Sequence, residues 1–333
     1  MQSFSETILS WYDTYGRDLP WRRTRDPYAI WLSEIILQQT RIAQGQAYWE
    51  RFLVAWPDVR ALAAASEDEV LRLWQGLGYY SRARNLHAAA RQIVAAGGFP
   101  DTLDGIRALK GVGDYTAAAI GSIAFGLPTA VVDGNVYRVL ARHYGIETPV
   151  GSTAAKKEFT ALAQSLLPAG RPGDFNQGMM DFGALQCTPA APPCTICPLA
   201  ASCVALATGR VEGLPVREKG AAVQTRRFDY VYVRFRGRTA IRRRGPGDIW
   251  QGLFEPVVLN QRLEKVIASA FDRFEYLKSV KHQLTHRTLI VDFYLWEPAE
   301  EPALPEGYFW IEEAELDRYA KPRLFELLLA SLP

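Results

Sequence analysis

The 333-residue sequence has almost no excess of charge of either sign, with 38 Lys and Arg against 36 Asp and Glu and a net charge of +2. That balance neither demands nor excludes a polyanionic partner. Low-complexity tracts and internal repeats are absent, which sets aside disordered and solenoid classes. The first residues, MQSFSETILSWYDTYG, hold no positive stretch followed by an apolar run, so nothing marks export. Tyr115 to Val132 runs eighteen residues without a charge, but Gly121, Ser122, Gly126 and Pro128 interrupt it. That pattern suits a buried helix and turn better than a membrane span. Cysteine is scarce too: there are four, all within seventeen residues. A disulfide framework would need an oxidising compartment, which the missing export signal argues against.

The length allows two or three packed domains. Basic residues gather at Arg22, Arg23 and Arg25, at Arg82, Arg84 and Arg91, and at Arg242, Arg243 and Arg244, while Glu300 to Asp317 is acidic. Such clusters are usually solvated faces and shift the balance toward DNA only modestly. Residues 1 to 207 read as helical: SEDEVLRLWQGL and RARNLHAAARQIVAAGG place apolar residues three and four apart, and the second ends in Gly97-Gly98. Between 208 and 225 the pattern lapses into Gly, Pro and charge, as a linker does. Beyond it, FDYVYVRF (228–235) and TLIVDFYLW (288–296) read as strands, and LEKVIASAF (263–271) and RLFELLLASL as helices. The expected fold class is an all-α body joined to an α+β domain at 226–333.

Cys187, Cys194, Cys197 and Cys203 follow a C-x6-C-x2-C-x5-C spacing. Zinc sites usually show two close pairs, and here there is one. Four thiolates also suit a [4Fe–4S] cluster, which takes one ligand per iron. Both chemistries stay open on spacing alone. Upstream, LKGVGDYTAAAI ends one helix at Gly111 and starts another after Gly113. Around Lys110, Gly111, Val112 and Gly113 a tight turn points backbone N–H groups outward at a helix start, which suits a phosphate oxygen, though a plain helix–helix turn looks the same. In VVDGNVYRVLAR, Asp133 stands just before a helical pattern, where N–H donors and the positive helix end favour its ionised form. Glu34, in WLSEIILQQT, sits among Trp31, Ile35, Ile36 and Leu37, where desolvation raises a carboxyl pKa.

The cysteine spacing resembles the cluster loop of the endonuclease III superfamily of DNA glycosylases, and LKGVGDYTAAAI resembles its helix–hairpin–helix. WLSEIILQQT, with LPWR (19–22), GLGYYSRARNL (76–86), VVDGNVYRVL and FNQGMMDFGALQC, is similar to the signature of the MutY adenine glycosylases. The resemblance covers nearly the whole helical region. It implies a six-helix part at about 20–130, an iron–sulfur part formed by the N-terminus and about 131–207, and a [4Fe–4S] cluster on the four cysteines. It implies excision of adenine opposite 8-oxoguanine or guanine in double-stranded DNA, by a cytoplasmic, nucleoid-associated bacterial monomer. Glu34 would be the general acid at adenine N7 and Asp133 the anion beneath the sugar, with Tyr115 and Asn135 in support. Arg22 would line the base pocket, and Gln39 and Tyr79 would insert into the base stack.

Members that also cleave the DNA backbone carry a Schiff-base lysine four residues after the first hairpin glycine. Tyr115 stands there, and Lys110 lies on the wrong side of the turn, which implies a monofunctional enzyme. IWQGLFEP (249–256) resembles a stretch of Nudix domains, but the carboxylate-rich box G-x5-E-x7-R-E-x2-E-E that holds magnesium in Nudix hydrolases is missing. A lesion-recognition domain is expected instead. Leu284, Thr285 and His286 match the family's Phe-Ser-His loop for 8-oxoguanine, with Leu and Thr as departures. Two other functions remain: an endonuclease III-like glycosylase and lyase for damaged pyrimidines, and a non-catalytic iron–sulfur DNA-binding protein.

Overall fold

The computed structural model describes residues 3–218, 224–259, 274–284 and 287–333. The helix expected at 263–271 lies outside these residues, as do Thr285 and His286. The first two thirds of the chain are helical: α1 (Phe4–Tyr15), α2 (Pro27–Leu37), α3 (Ile42–Ala55), α4 (Val59–Ala64), α5 (Glu67–Trp74), α6 (Ser81–Ala95), α7 (Leu103–Arg107), α8 (Asp114–Ala124), α9 (Gly134–Tyr144), α10 (Thr153–Leu166), α11 (Pro172–Asp181) and α12 (Val204–Ala207). Their boundaries follow local chemistry. Ser3 and Ser66 start α1 and α5 as capping boxes with Glu6 and Glu69, each pair satisfying two otherwise unbonded N–H groups. Asp26 caps α2, whose first residue, Pro27, has no N–H to satisfy. α6 stops before Gly97, which takes a φ of +87°. The uncharged stretch from Tyr115 resolves into most of α8 and a turn at Gly126, and among the described residues no helix is long and apolar enough to cross a membrane.

Contacts divide the chain into two units, Met1–Ala63 with Ala88–Lys219, and Ala64–His87 with Gly220–Pro333. In the first, Ile8 and Trp11 of α1 pack with Val136 and Leu140 of α9, Phe159 of α10 and Phe175 of α11. A smaller cluster joins Ile30 of α2 to Ala118, Ala119 and Ile123 of α8. Part of the expected linker runs along this unit: Leu214 is buried, its carbonyl accepts from Arg142 Nε at 3.0 Å, and Val150 bridges to Arg217.

The second unit is built on a seven-stranded sheet: β1 (Gln224–Phe235), β2 (Arg238–Arg243), β3 (Phe254–Glu255), β4 (Val257–Leu259), β5 (Glu275–Gln283), β6 (Arg287–Trp296) and β7 (Tyr308–Glu312). The order is β3-β2-β1-β6-β5, with β4 on β1 and β7 on β2. β1 and β6 run parallel from Gln224↔Arg287 to Val233↔Trp296, and the other pairs are antiparallel. One face buries Tyr230, Tyr232, Phe293 and Leu295 against Leu324, Phe325 and Leu328 of α13 (Arg323–Leu329). The α5 segment joins this unit because Arg243 pairs with Glu67 and Asp68, and because Gly252 approaches Leu71 so closely that a Cβ would stand 3.2 Å from its Cδ1.

Candidate active site and cysteine loop

α2 is buried on almost every side, and Glu34 is its only acid. Its carboxylate faces a cavity of about 650 Å³ within the first unit, where it meets Arg22, Gln39, Tyr115, Asp133 and Asn135. These six sequence-predicted residues come from four separate segments. Burial pushes the Glu34 carboxyl up to about 7, the negative charge of Asp133 adds to the push, and Arg22 and a hydrogen bond with Tyr115 oppose it. Glu34 keeps some open surface toward the cavity, but protein encloses the rest of the carboxyl, so desolvation prevails. Burial also raises the Tyr115 hydroxyl well above its ordinary value, with the charges of Glu34 and Asp133 adding, so it stays a neutral donor.

Asp133 is the N-cap of α9. Its Oδ1 accepts from the backbone N–H groups of Asn135 and Val136, both at 2.8 Å, and its Oδ2 accepts from Asn135 Nδ2 at 2.8 Å. Asn135 is held in turn, because Arg138 Nη2 donates to its Oδ1 at 2.8 Å and to Gly183 O at 2.6 Å. Arg138 Nε donates to Cys187 O at 2.7 Å. One buried guanidinium thus joins the aspartate's partner to the first residue of the cysteine loop. Gly183 lies in a π-helical turn, Phe182–Gln186, and a Cβ there would stand 2.6 Å from Asn135 Cβ. Arg22, in the 3-10 turn Pro20–Arg22, makes a two-pronged pair with fully buried Asp181, at 2.6 and 2.9 Å, and Arg17 donates to the same carboxylate.

Other expected site residues lie elsewhere. Gly111 has a φ of +77°, a conformation that favours glycine, and Gly113 caps α8. Val112 is buried and anchors the turn, and the exposed Lys110 donates its N–H to Gln92 Oε1 at 2.7 Å. Asp114 carries a negative charge into this hairpin, paired with Lys156 at 2.7 Å and Arg107 at 3.0 Å. Tyr79 is exposed, as is Gln39 at the cavity edge, with φ of +47° and +57°, strained values for residues that bear a Cβ. Tyr79 belongs to the second unit. Leu284 is half-buried, and its N–H donates to Arg287 O at 2.7 Å.

Cys187, Cys194, Cys197 and Cys203 are free thiols, each half-buried. Burial pushes Cys197 up to about 11, with the other three thiols adding to the push, and raises Cys187, which Cys203 pushes further while Arg142 Nη1, 3.5 Å from its sulfur, opposes. Cys187 and Cys197 therefore resist ionisation, and a cationic metal group reverses that balance. Among the described residues no three His, Cys, Asp or Glu side chains are placed to hold a single metal ion. Four thiol sulfurs brought from one loop are a donor set that suits a soft metal or a metal–sulfur group.

Sequence reading missed Arg17, Gln38, Gln177 and Met180 on the cavity wall, and Asp181 and Arg138 behind it. Of these, all but Arg17 carried a signal: Gln38 lies in the family-like WLSEIILQQT, Arg138 in VVDGNVYRVL, and Gln177, Met180 and Asp181 in FNQGMMDFGALQC.

Residues 32–168 match the HhH-GPD superfamily of base excision DNA repair proteins, and residues 230–331 match the NUDIX domain. The helical part therefore has the HhH-GPD fold, followed by a Nudix-like sheet domain. A solved thermostable thymine-DNA glycosylase is similar over 62% of this chain and 95% of its own, with a TM-score of 0.57 and 33% identity. Among named relatives, the chain is 36% identical to the adenine DNA glycosylase of Buchnera aphidicola subsp. Acyrthosiphon pisum, over 75% of this chain and 73% of that one. It is 32% identical to that of Buchnera aphidicola subsp. Schizaphis graminum, over 86% and 85%. The human adenine DNA glycosylase is 45% identical over 66% of this chain, but the match spans 44% of the human protein, as it does for mouse and rat. The chain belongs to the adenine DNA glycosylase family.

Proposed function

We propose that this chain is a monofunctional DNA glycosylase that removes adenine paired with 8-oxoguanine or guanine. The observation that carries the reading is one cavity holding two carboxylates in unlike settings: Glu34, enclosed and raised to about 7, and Asp133, held by three donors. Adenine inside a duplex is out of reach, so it enters such a cavity flipped, at a cost of a few kcal/mol. Breaking its N-glycosidic bond calls for a protonated leaving group and a stabilised oxocarbenium-like sugar. Glu34, with a pKa of about 7, retains a proton at neutral pH and gives it to N7. Asp133 faces the developing positive charge, and Asn135 fixes its orientation. Tyr115 keeps its proton and holds Glu34 in place. No amine stands at position 115 to form a Schiff base, so the abasic product leaves with its strand intact.

The Gly111–Gly113 turn serves as a phosphate contact, Gln39 and Tyr79 enter the base stack, and Leu284, Thr285 and His286 read the opposite base. Cys187, Cys194, Cys197 and Cys203 hold a [4Fe–4S] cluster, which when bound cross-links the loop. The protein works as a monomer on double-stranded DNA, in the cytoplasm at the nucleoid. A duplex with one adenine opposite 8-oxoguanine tests the reaction. Strand breaks should appear only after alkali, and borohydride should trap no stoichiometric adduct; breaks without alkali would favour the lyase, and no excision a binding protein. Anaerobic purification should give a brown protein with about four irons per chain, and stoichiometric zinc without iron would refute the cluster.

A further inference from the structure

Three of the four residues from Gly76 to Tyr79 have positive φ: Gly76 at +97°, Gly78 at +73° and Tyr79 at +47°. The two glycines take these angles freely, but Tyr79 bears a Cβ and keeps its strained angle only where its surroundings fix it. Trp74 Nε1 donates to Gly78 O at 2.9 Å, and the Arg82 guanidinium lies 5.0 Å from the Trp74 ring and 5.7 Å from the Tyr79 ring. The result is an exposed aromatic ring on a stiff base, with 44% of Tyr79 open to solvent. Both ends of this loop are tied to the C-terminal domain of the same unit, at α13, the segment before it and the turn before β3. Before it, Gln75 Nε2 donates to Glu326 of α13, and Gln75 Oε1 accepts from Lys321 N at 3.2 Å. After it, Arg84 Nη1 donates to Gln251 O at 2.5 Å. These links span 251, 246 and 167 residues of chain.

We propose that Gln75 and Arg84 are positioning residues through which the C-terminal sheet domain holds Tyr79 in its projecting conformation. The proposal rests on the reading of Tyr79 as a base-stack wedge and of the sheet domain as the reader of the opposite base. Recognition of that base and opening of the stack then share one rigid part, and the ends of the wedge loop move only if the sheet moves. Ordinary packing would not need hydrogen-bonding side chains at both ends of an exposed loop.

The test uses the full chain and a duplex with 2-aminopurine beside 8-oxoguanine, whose fluorescence rises when the base unstacks. The double variant Gln75→Leu with Arg84→Met keeps side-chain bulk and removes the ties. It should lose about tenfold in unstacking rate and in single-turnover excision, the order of a hydrogen bond to a charged group. Affinity for undamaged duplex should not change. In a Tyr79→Ala background the same two substitutions should cost nothing more, because they act through the ring. Glu326 touches the loop at Gln75, so Glu326→Ala should shift unstacking the same way if the double variant folds poorly. Full unstacking in these variants, or an undiminished loss on the Tyr79→Ala background, would overturn the proposal. A wild-type chain that excises adenine but leaves 2-aminopurine stacked overturns the wedge reading and the proposal with it. Absence of both signals overturns the glycosylase reading as well.

Discussion

Glu34 shows how a side chain suited to catalysis stores a cost in stability. Its carboxyl titrates near 4.5 in an unfolded chain and at about 7 in the folded one. The folded state therefore binds this proton more tightly. The stability it contributes is complete below about pH 4.5 and is lost as pH rises through 7. Glu34→Gln, which resembles the protonated form, should raise Tm at pH 8, by roughly 2–3 kcal/mol of stability, with the gain vanishing near pH 4.5. The same substitution removes the proton donor, so excision should fall by about 10²- to 10⁴-fold. Wild-type single-turnover rates should fall as pH rises above about 7, and a flat profile from pH 6 to 9 would contradict the acid role. Glu34 and Asp133 were legible in the sequence because each stands in a short motif whose local chemistry matters: an acid in an apolar helix and an acid at a helix start. Asp181 and Arg138 also stand in family-like stretches, but what they do there was not legible. Their roles arise from hydrogen bonds across 159 and 49 residues of chain, and no local pattern announces such a bond.

The helical character of the first two thirds and the strands β1 and β6 were readable because apolar periodicity marks a buried face, whereas the caps at Ser3, Asp26 and Ser66 came only from the structure. β5 was not, since EYLKSVKHQ is mostly exposed and its residues carry no apolar alternation. The grouping of α5 with the sheet was hidden as well, because α5 reads as any amphipathic helix and its partners, Arg243 and Gly252, lie far along the chain. At this scale the π-helical turn Phe182–Gln186 is a critical joint. It brings the Gly183 backbone against Asn135 and aims the Gly183 and Cys187 carbonyls at Arg138. Gly183→Ala forces a methyl group to within 2.6 Å of Asn135 Cβ and 2.9 Å of its carbonyl oxygen, and backbone cannot swing away as a flexible side chain can. Overpacking of this kind costs about 1–3 kcal/mol. It should fall on the orientation of Asn135, and so on Asp133. We expect single-turnover excision to drop about tenfold or more with iron content unchanged. Loss of iron without loss of rate would place the strain on the cysteine loop instead.

Across the whole molecule, the proposed function divides one discrimination between two units. On that reading the substrate base is ordinary adenine, which is the same in a mispair and in A·T, so the distinction has to come from the base opposite. The Nudix-like domain lacks the carboxylate box a hydrolase needs, and its Glu255 is buried and committed to Arg242 and Arg244. On the proposed reading the family-like segment Leu284, Thr285 and His286 reads the opposite base. Compared with guanine, 8-oxoguanine adds a carbonyl at C8 and a hydrogen on N7, so a hydroxyl or imidazole gains a bond with the lesion alone. One such bond is worth about 0.5–1.5 kcal/mol, or roughly two- to twelvefold in preference. Thr285→Ala with His286→Ala should narrow the preference for adenine opposite 8-oxoguanine over adenine opposite guanine by that factor. Chemistry on bound substrate should change less, because Glu34 and Asp133 lie in the other unit. Competition between the two duplexes under single-turnover conditions measures the ratio, and an undiminished preference in the double variant would assign lesion reading to residues outside this loop.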